Sequence, residues 1–165
     1  MQLPDAEALC SALAEAMRPA VDPAKTVLVG IHTGGVWVAE RLHAALGLQI
    51  PSGSMNVSFY RDDFNQRGLH ANARSSHIPF DVEGAHVVIV DDVLYTGRTI
   101  RAAMNELFDY GRPAKIDLAV LVDRGGRELP IAASFSPHTL SLAAAQTLEL
   151  ERAADGGLSF RVMEK

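Results

Sequence analysis

The sequence predicts an α/β domain built on a parallel sheet, and three observations point there. Three short apolar runs, TVLVGI at 26–31, HVVIV at 86–90 and IDLAVLV at 116–122, have the β-branched character of strands buried on both faces. Each run ends in a polar or glycine-bearing loop, and the first two loops open onto helical patterns, as alternating βα units require. At 165 residues, 48% hydrophobic and 21% charged, the chain is long and apolar enough for one domain with a sizeable core.

The elements follow in order. Residues 5–18 place Leu9, Leu13, Ala16 and Met17 along one helical face, with Asp5 as N-cap and Pro19 beyond the end. After the first strand, His32-Thr33-Gly34-Gly35 interrupts the pattern before a helix over 36–46 that stops at Gly47. Residues 55–60 alternate as a half-buried strand. The stretch 61–85 has no periodicity and exceeds the roughly 12–15 residues that a structureless connection usually reaches, so it reads as a flexible loop over a site. The second strand leads through Asp91-Asp92 to a helix with Ile100, Met104, Leu107 and Phe108 on its apolar face, closed by Gly111 and Pro113. The third strand ends in Asp123-Arg124-Gly125-Gly126. Short strands are expected near 131–135, 146–152 and 158–163, the last two joined by a turn at Asp155-Gly156-Gly157. No linker or repeat divides the chain, which predicts a single domain over 1–165 with its core at about 26–130.

Composition narrows the function. The single Cys10 forms no intramolecular disulfide, and no run of about 18 apolar residues is present, so a cytoplasmic protein without a membrane span is expected. A formal net charge of -5 argues against nucleic-acid binding by bulk electrostatics, although 12 Arg against 3 Lys suits bidentate phosphate contacts. His70, His77 and His86 lack the spacing of a zinc site. Cys10 and Trp37 read as core residues on their helices.

The chemistry is expected at the carboxyl ends of the strands, where open α/β sheets bind ligands. The segment Val87 to Thr99 is the most specific. Helix-opening backbone amides, Thr96, Gly97 and Thr99 suit a phosphate, and Asp91 and Asp92 suit sugar hydroxyls directly or through Mg²⁺-bound water. Together they fit a ribose 5-phosphate. The pattern is no P-loop, because G-x-x-x-x-G-K-[ST] is absent.

VVIVDDVLYTGRT resembles the phosphoribosyl diphosphate (PRPP) motif of the type I phosphoribosyltransferases. Four blocks extend the likeness to the family's pyrimidine-operon regulators: LVGIHTGGVWVAERL at 28–42, SFYRDD at 58–63, VVIVDDVLYTGRTIRAAMNEL at 87–107 and LAVLVDRGGRELPI at 118–131. The resemblance implies the type I fold, a parallel sheet of about five strands flanked by helices, with a small hood from the termini and the flexible loop 61–85. It implies that Asp91 and Asp92 are the catalytic pair and the Mg²⁺ site. Val93, Leu94, Tyr95, Thr96, Gly97, Arg98 and Thr99 would hold the ribose 5-phosphate, Thr33 and Gly34 would face pyrophosphate with Arg61, and Asp123 and Arg124 would lie near the base. The implied reaction is phosphoribosyl transfer from PRPP to uracil, giving UMP and pyrophosphate. His32 and Gly34 stand where relatives frequently carry cations, which predicts a weakened pyrophosphate site.

The same resemblance carries two alternatives. One is a uridine-nucleotide-sensing regulator that binds leader RNA, for which a dimer would have to align Arg18, Arg124 and Arg127 into one patch. The other is a salvage transferase acting on a purine base. Family members form dimers or tetramers, so a homo-oligomer is expected.

Overall fold

A computed structural model describes residues 1–57 and 76–165. The chain opens with helix α1 (Ala6–Met17), where the Asp5 carboxylate accepts from the Ala8 N–H at 3.1 Å and so satisfies an orphan donor of the first turn. Pro19 lies in a short 3₁₀ turn that ends the helix. Strand β1 (Val27–Ile31), helix α2 (Gly34–Leu46), strand β2 (Gly53–Met55), strand β3 (His86–Leu94), helix α3 (Arg98–Tyr110) and strand β4 (Lys115–Asp123) follow. A two-residue strand β5 (His138–Thr139) precedes the antiparallel hairpin of β6 (Gln146–Arg152) and β7 (Leu158–Glu164).

The five strands β1 to β5 form one parallel sheet in the order β2-β1-β3-β4-β5. Alternation along the strands divides the core. Val27, Val29, Ile31, Val87, Ile89 and Val120 face α3 through Ile100, Ala103 and Leu107. Leu28, Val88, Val90, Ala119 and Leu121 face α1 and α2, and the hairpin's Leu148, Leu150, Leu158 and Phe160 join that same cluster. The continuous apolar runs therefore reflect burial on both faces, as expected for parallel strands. Cys10 is buried in the second cluster, where loss of hydration pushes its thiol up to about 11.

Several boundaries differ from the sequence reading. Strand β3 runs four residues further, because the ladder to β4 continues through Asp91↔Val120 and Leu94↔Asp123, so the acidic pair lies within the strand rather than after it. Helix α2 begins at Gly34, not 36, absorbing the two glycines. Strand β2 ends at Met55, earlier than the expected 55–60 span, of which 58–60 lie outside the described residues. Residues 76–85 form no helix or strand, but they pack against the domain. Ser54 and His77 exchange two backbone hydrogen bonds of 2.8 Å, Val82 is buried, and Ile78 and Phe80 pack on the core. The rest of the expected flexible loop, 61–75, lies outside the described residues. Phe108 is exposed, because the buried face of α3 runs through Ile100, Ala103 and Leu107 instead. Around 131–135 only an Ala119↔Phe135 bridge forms.

Candidate active site

The strand order reverses direction between β1 and β3: the chain passes outward from β1 to β2, then returns to place β3 on the other side of β1. At such a switch point the two following loops part and leave a crevice. Here the connections are His32–Thr33, which leads into α2, and Tyr95–Gly97, which leads from the end of β3 into α3.

The start of α2 and the acidic pair of β3 meet closely. A Cβ on Gly34 would stand 2.3 Å from Asp92 Oδ2, far inside van der Waals contact, so only glycine fits while Asp92 keeps this rotamer. Thr33, at the N-cap of α2, is exposed, and Gly34 and Gly35 are buried. The acidic pair is half-buried. Asp91 Oδ1 accepts from the Asp92 N–H at 2.9 Å, and Asp92 Oδ1 accepts from the Val93 N–H at 2.8 Å. These bonds set both carboxylates against the backbone, and in Asp92 the second oxygen turns toward Gly34.

Beyond the pair, Asp91, Val93, Leu94, Tyr95, Thr96, Gly97, Thr99 and Ile100 line a concavity of about 130 Å³. Gly97 has φ 94°, in the left-handed region, and a Cβ there would lie 3.0 Å from Ile131, so the loop can enter α3 this tightly only with glycine. Arg98 starts the helix, its N–H bonded to Thr96 Oγ1 at 3.2 Å and its exposed side chain reaching Glu128 at 3.3 Å. The volume, at the start of α3, suits one phosphate group. The Leu94 side chain belongs to the core, so it lines this space with its backbone.

A second concavity of about 290 Å³ is lined by Asp123, Arg124, Gly125, Arg127, Thr139, Leu140 and Ser141, where the sequence expects the base. Asp123 is ion-paired to Arg127 at 2.6 Å. Burial pushes its carboxyl up, but the Arg127 and Gly125 hydrogen bonds outweigh that and hold it below the usual carboxylate range. Arg124 is only 7% exposed. Its guanidinium stacks on the Tyr95 ring at 3.9 Å and donates to the carbonyls of Gln146 and Ala143. A larger open concavity, of about 740 Å³, lies at the β6–β7 turn, lined by Arg41, Arg152 and residues 153–157. It contains none of the sequence-predicted residues, and its arginines are engaged by Glu7, Glu40 and Trp37.

The crevice therefore gathers Thr33, Gly34, Asp91, Asp92 and residues 93–99 in one place, with Asp123 and Arg124 beside the neighbouring strand end. Arg61 lies outside the described residues. Within one chain Arg124 is buried, Arg127 is held by Asp123 and Tyr95, and Arg18 pairs with Glu15 on α1. His86 bonds Asp117 at 2.7 Å.

Comparison with known proteins decides the family. The model of the phosphoribosyl transferase domain matches residues 2–139. A "Bifunctional protein PyrR" of Pseudomonas fluorescens is 51% identical over 156 residues, 91% of either chain. Another from Pseudomonas entomophila is 60% identical over 122 residues, covering 74% of this chain and 71% of that one. The chain belongs to the phosphoribosyltransferase family, among the PyrR proteins. The fold agrees with that membership. A hypoxanthine phosphoribosyltransferase from Staphylococcus aureus superposes with a TM-score of 0.67 over 87% of this chain and 76% of that chain at 19% identity. A purine phosphoribosyltransferase from Pyrococcus horikoshii gives 0.62 over 81% of each at 29% identity. The five-stranded parallel sheet flanked by helices is thus the architecture shared by phosphoribosyltransferases.

Sequence reasoning assigned no site role to Glu128 and Leu129, and took Arg127 for a residue of the active-site hood or an RNA contact. Their link to the Tyr95–Gly97 loop runs across two strand ends, and no local motif signals it.

Proposed function

We propose that this PyrR-family transferase moves a phosphoribosyl group from PRPP to uracil, with UMP and pyrophosphate as products. The observation that carries the reading is the Gly34–Asp92 contact, which sets the pyrophosphate-facing loop against the ribose-facing carboxylates directly beside a phosphate-sized concavity. In the transfer, the bond from C1′ to the pyrophosphate oxygen breaks, the bond from C1′ to N1 of uracil forms, and the N1 proton is lost. Positive charge develops on the ribose ring as the leaving group departs. Asp92 and Asp91 stabilise that charge and accept from the ribose hydroxyls. Thr96, Gly97 and Thr99, with Val93, Leu94, Tyr95 and Arg98 shaping the loop, hold the 5-phosphate. Thr33 and Gly34 offer backbone to the pyrophosphate, with Arg61, and Asp123 and Arg124 border the base.

Two half-buried carboxylates on adjacent residues suit a hard divalent cation with oxygen ligands, so Asp91 and Asp92 would hold Mg²⁺ arriving with PRPP, through water or the ribose hydroxyls. Its chemistry is charge neutralisation of the leaving pyrophosphate.

No described helix is long and apolar enough to cross a membrane. A homodimer or tetramer is part of the proposal.

The test is UMP formation from uracil and PRPP with Mg²⁺, comparing the natural chain with Asp92→Asn. This substitution keeps the shape and removes the charge, and a loss of about 10²-fold or more in kcat is expected. Turnover of guanine or hypoxanthine without turnover of uracil would move the reading to purine salvage. The relatives' name, bifunctional, favours a second reading, regulation through leader RNA sensed with uridine nucleotides. RNA binding that weakens steeply with salt would support it, and no binding at low salt would remove it.

A further inference from the structure

Two carbonyl oxygens of the phosphate loop are consumed by one short segment. Tyr95 O accepts from Arg127 Nη1 at 2.6 Å, and Thr96 O accepts from the backbone N–H groups of Glu128 at 3.0 Å and Leu129 at 3.3 Å. Arg127 Nη2 simultaneously donates to Asp123 Oδ2 at 2.6 Å, so one guanidinium ties the end of β4 to the loop after β3. The Tyr95 ring is held as well, beneath the buried Arg124 guanidinium.

Both carbonyls therefore point at residues 127–129. In a planar trans peptide the N–H points opposite to the carbonyl of the same unit, and among the described residues only His32–Thr33 is cis. The Thr96 N–H shares its peptide with the Tyr95 carbonyl, and the Gly97 N–H shares its own with the Thr96 carbonyl. Both N–H groups consequently point away from residues 127–129. None of residues 127–129 is in the lining of the concavity formed by Tyr95, Thr96, Gly97 and Thr99.

We propose that Arg127 is a positioning residue for 5′-phosphate recognition: by holding the Tyr95 carbonyl outward it turns successive backbone amides toward the phosphate. Successive N–H groups make an anion cradle, whereas a carbonyl flipped among them would repel the anion. The fork geometry matters, because a planar guanidinium reaches two oxygens at once and an ammonium on a flexible stem does not reproduce that. Asp123 holds the fork in register. The proposal rests on the phosphoribosyl reading above and assigns Arg127 a role through the loop's backbone rather than through contact with substrate.

Calorimetric titration of UMP and of uridine into the natural chain, Arg127→Ala and Arg127→Lys tests it. The two ligands differ only in the phosphate. Arg127 also borders the base concavity through Asp123, so both ligands can weaken, but removing the charge-assisted bond to Tyr95 is expected to weaken UMP about tenfold more than uridine, a difference equivalent to about 1.4 kcal/mol. Arg127→Lys is expected to recover part of the UMP loss. A general structural role would weaken both ligands equally and lower the melting temperature in step; that result overturns the proposal. UMP binding by the natural chain with no change in Arg127→Ala overturns the positioning role alone. No UMP binding by the natural chain overturns the phosphoribosyl reading and the positioning role with it.

Discussion

Gly34 faces Asp92 so closely that a methyl group on its Cα would sit 2.3 Å from the carboxylate oxygen Oδ2 and 3.2 Å from the Asp92 Cβ. The loop after β1 and the acidic pair thus share one packing constraint. A longer side chain at 34, cationic or not, requires a different Asp92 rotamer.

Gly34→Ala is accordingly expected to act on chemistry more than on folding. The half-exposed Asp92 side chain can swing away from the new methyl, at the expense of its 2.8 Å bond from the Val93 N–H. UMP synthesis should fall by about tenfold or more, the equivalent of one charge-assisted hydrogen bond, while the melting temperature drops by only a few degrees. Parallel activity assays and thermal melts measure this, and full activity in Gly34→Ala would show that Asp92 works from another rotamer.

Asp117 carries an acid-sensitive contribution to stability. Burial pushes its carboxyl up, but hydrogen bonds from His86, Ser134 and Lys115 outweigh burial and leave it below the usual carboxylate value. A folded-state value below the unfolded one of about 4 means the stabilisation is present above about pH 4 and is lost as pH falls through the folded value. Asp117→Asn should melt lower at pH 7 and show a flatter decline of melting temperature below pH 4 than the natural chain. An acid limb as steep in the variant would place the titrating group elsewhere.

Glu7 joins three elements. Its carboxylate takes two bonds from Arg41 of α2, at 3.0 and 3.2 Å, and one from the Leu158 N–H of β7 at 2.9 Å, which together draw its carboxyl below the ordinary range. The pair is partly exposed, so its direct worth is small, on the order of 0.5–1 kcal/mol. Glu7→Ala also leaves the Leu158 N–H without its acceptor, and a total near 1 kcal/mol, or about 2–4 °C, is expected. Comparing Glu7→Ala, Arg41→Ala and the double variant by urea unfolding separates the two: strict additivity would mean the ion pair contributes nothing.

Much of the molecule was legible because its signals are local. Val87 to Val90 is apolar on both sides of the chain, which only a doubly covered strand tolerates, and Asp5 ahead of an amphipathic run announces a capped helix. The Thr96–Gly97–Thr99 pattern marks a helix start that can meet an anion. What failed was equally local in origin. Asp91 and Asp92 look like the end of a strand because they are charged, yet the parallel ladder with β4 carries them on to Leu94. Residues 76–85 lack periodicity, yet His77 pairs with Ser54 and Val82 enters the core.

Hydrophobic period, caps and glycine-bearing turns act within a few residues, so the chain read alone yields the α/β class, the order of the elements and the segment proposed to bear the chemistry. Which residues meet across the crevice follows from packing in three dimensions. Strand order places Gly34 on Asp92, the approach of two strand ends turns Arg127 onto the Tyr95 carbonyl, and burial takes Arg124 out of any surface patch. Those relationships depend on the closure of loops tens of residues apart, and no spacing along the chain records them.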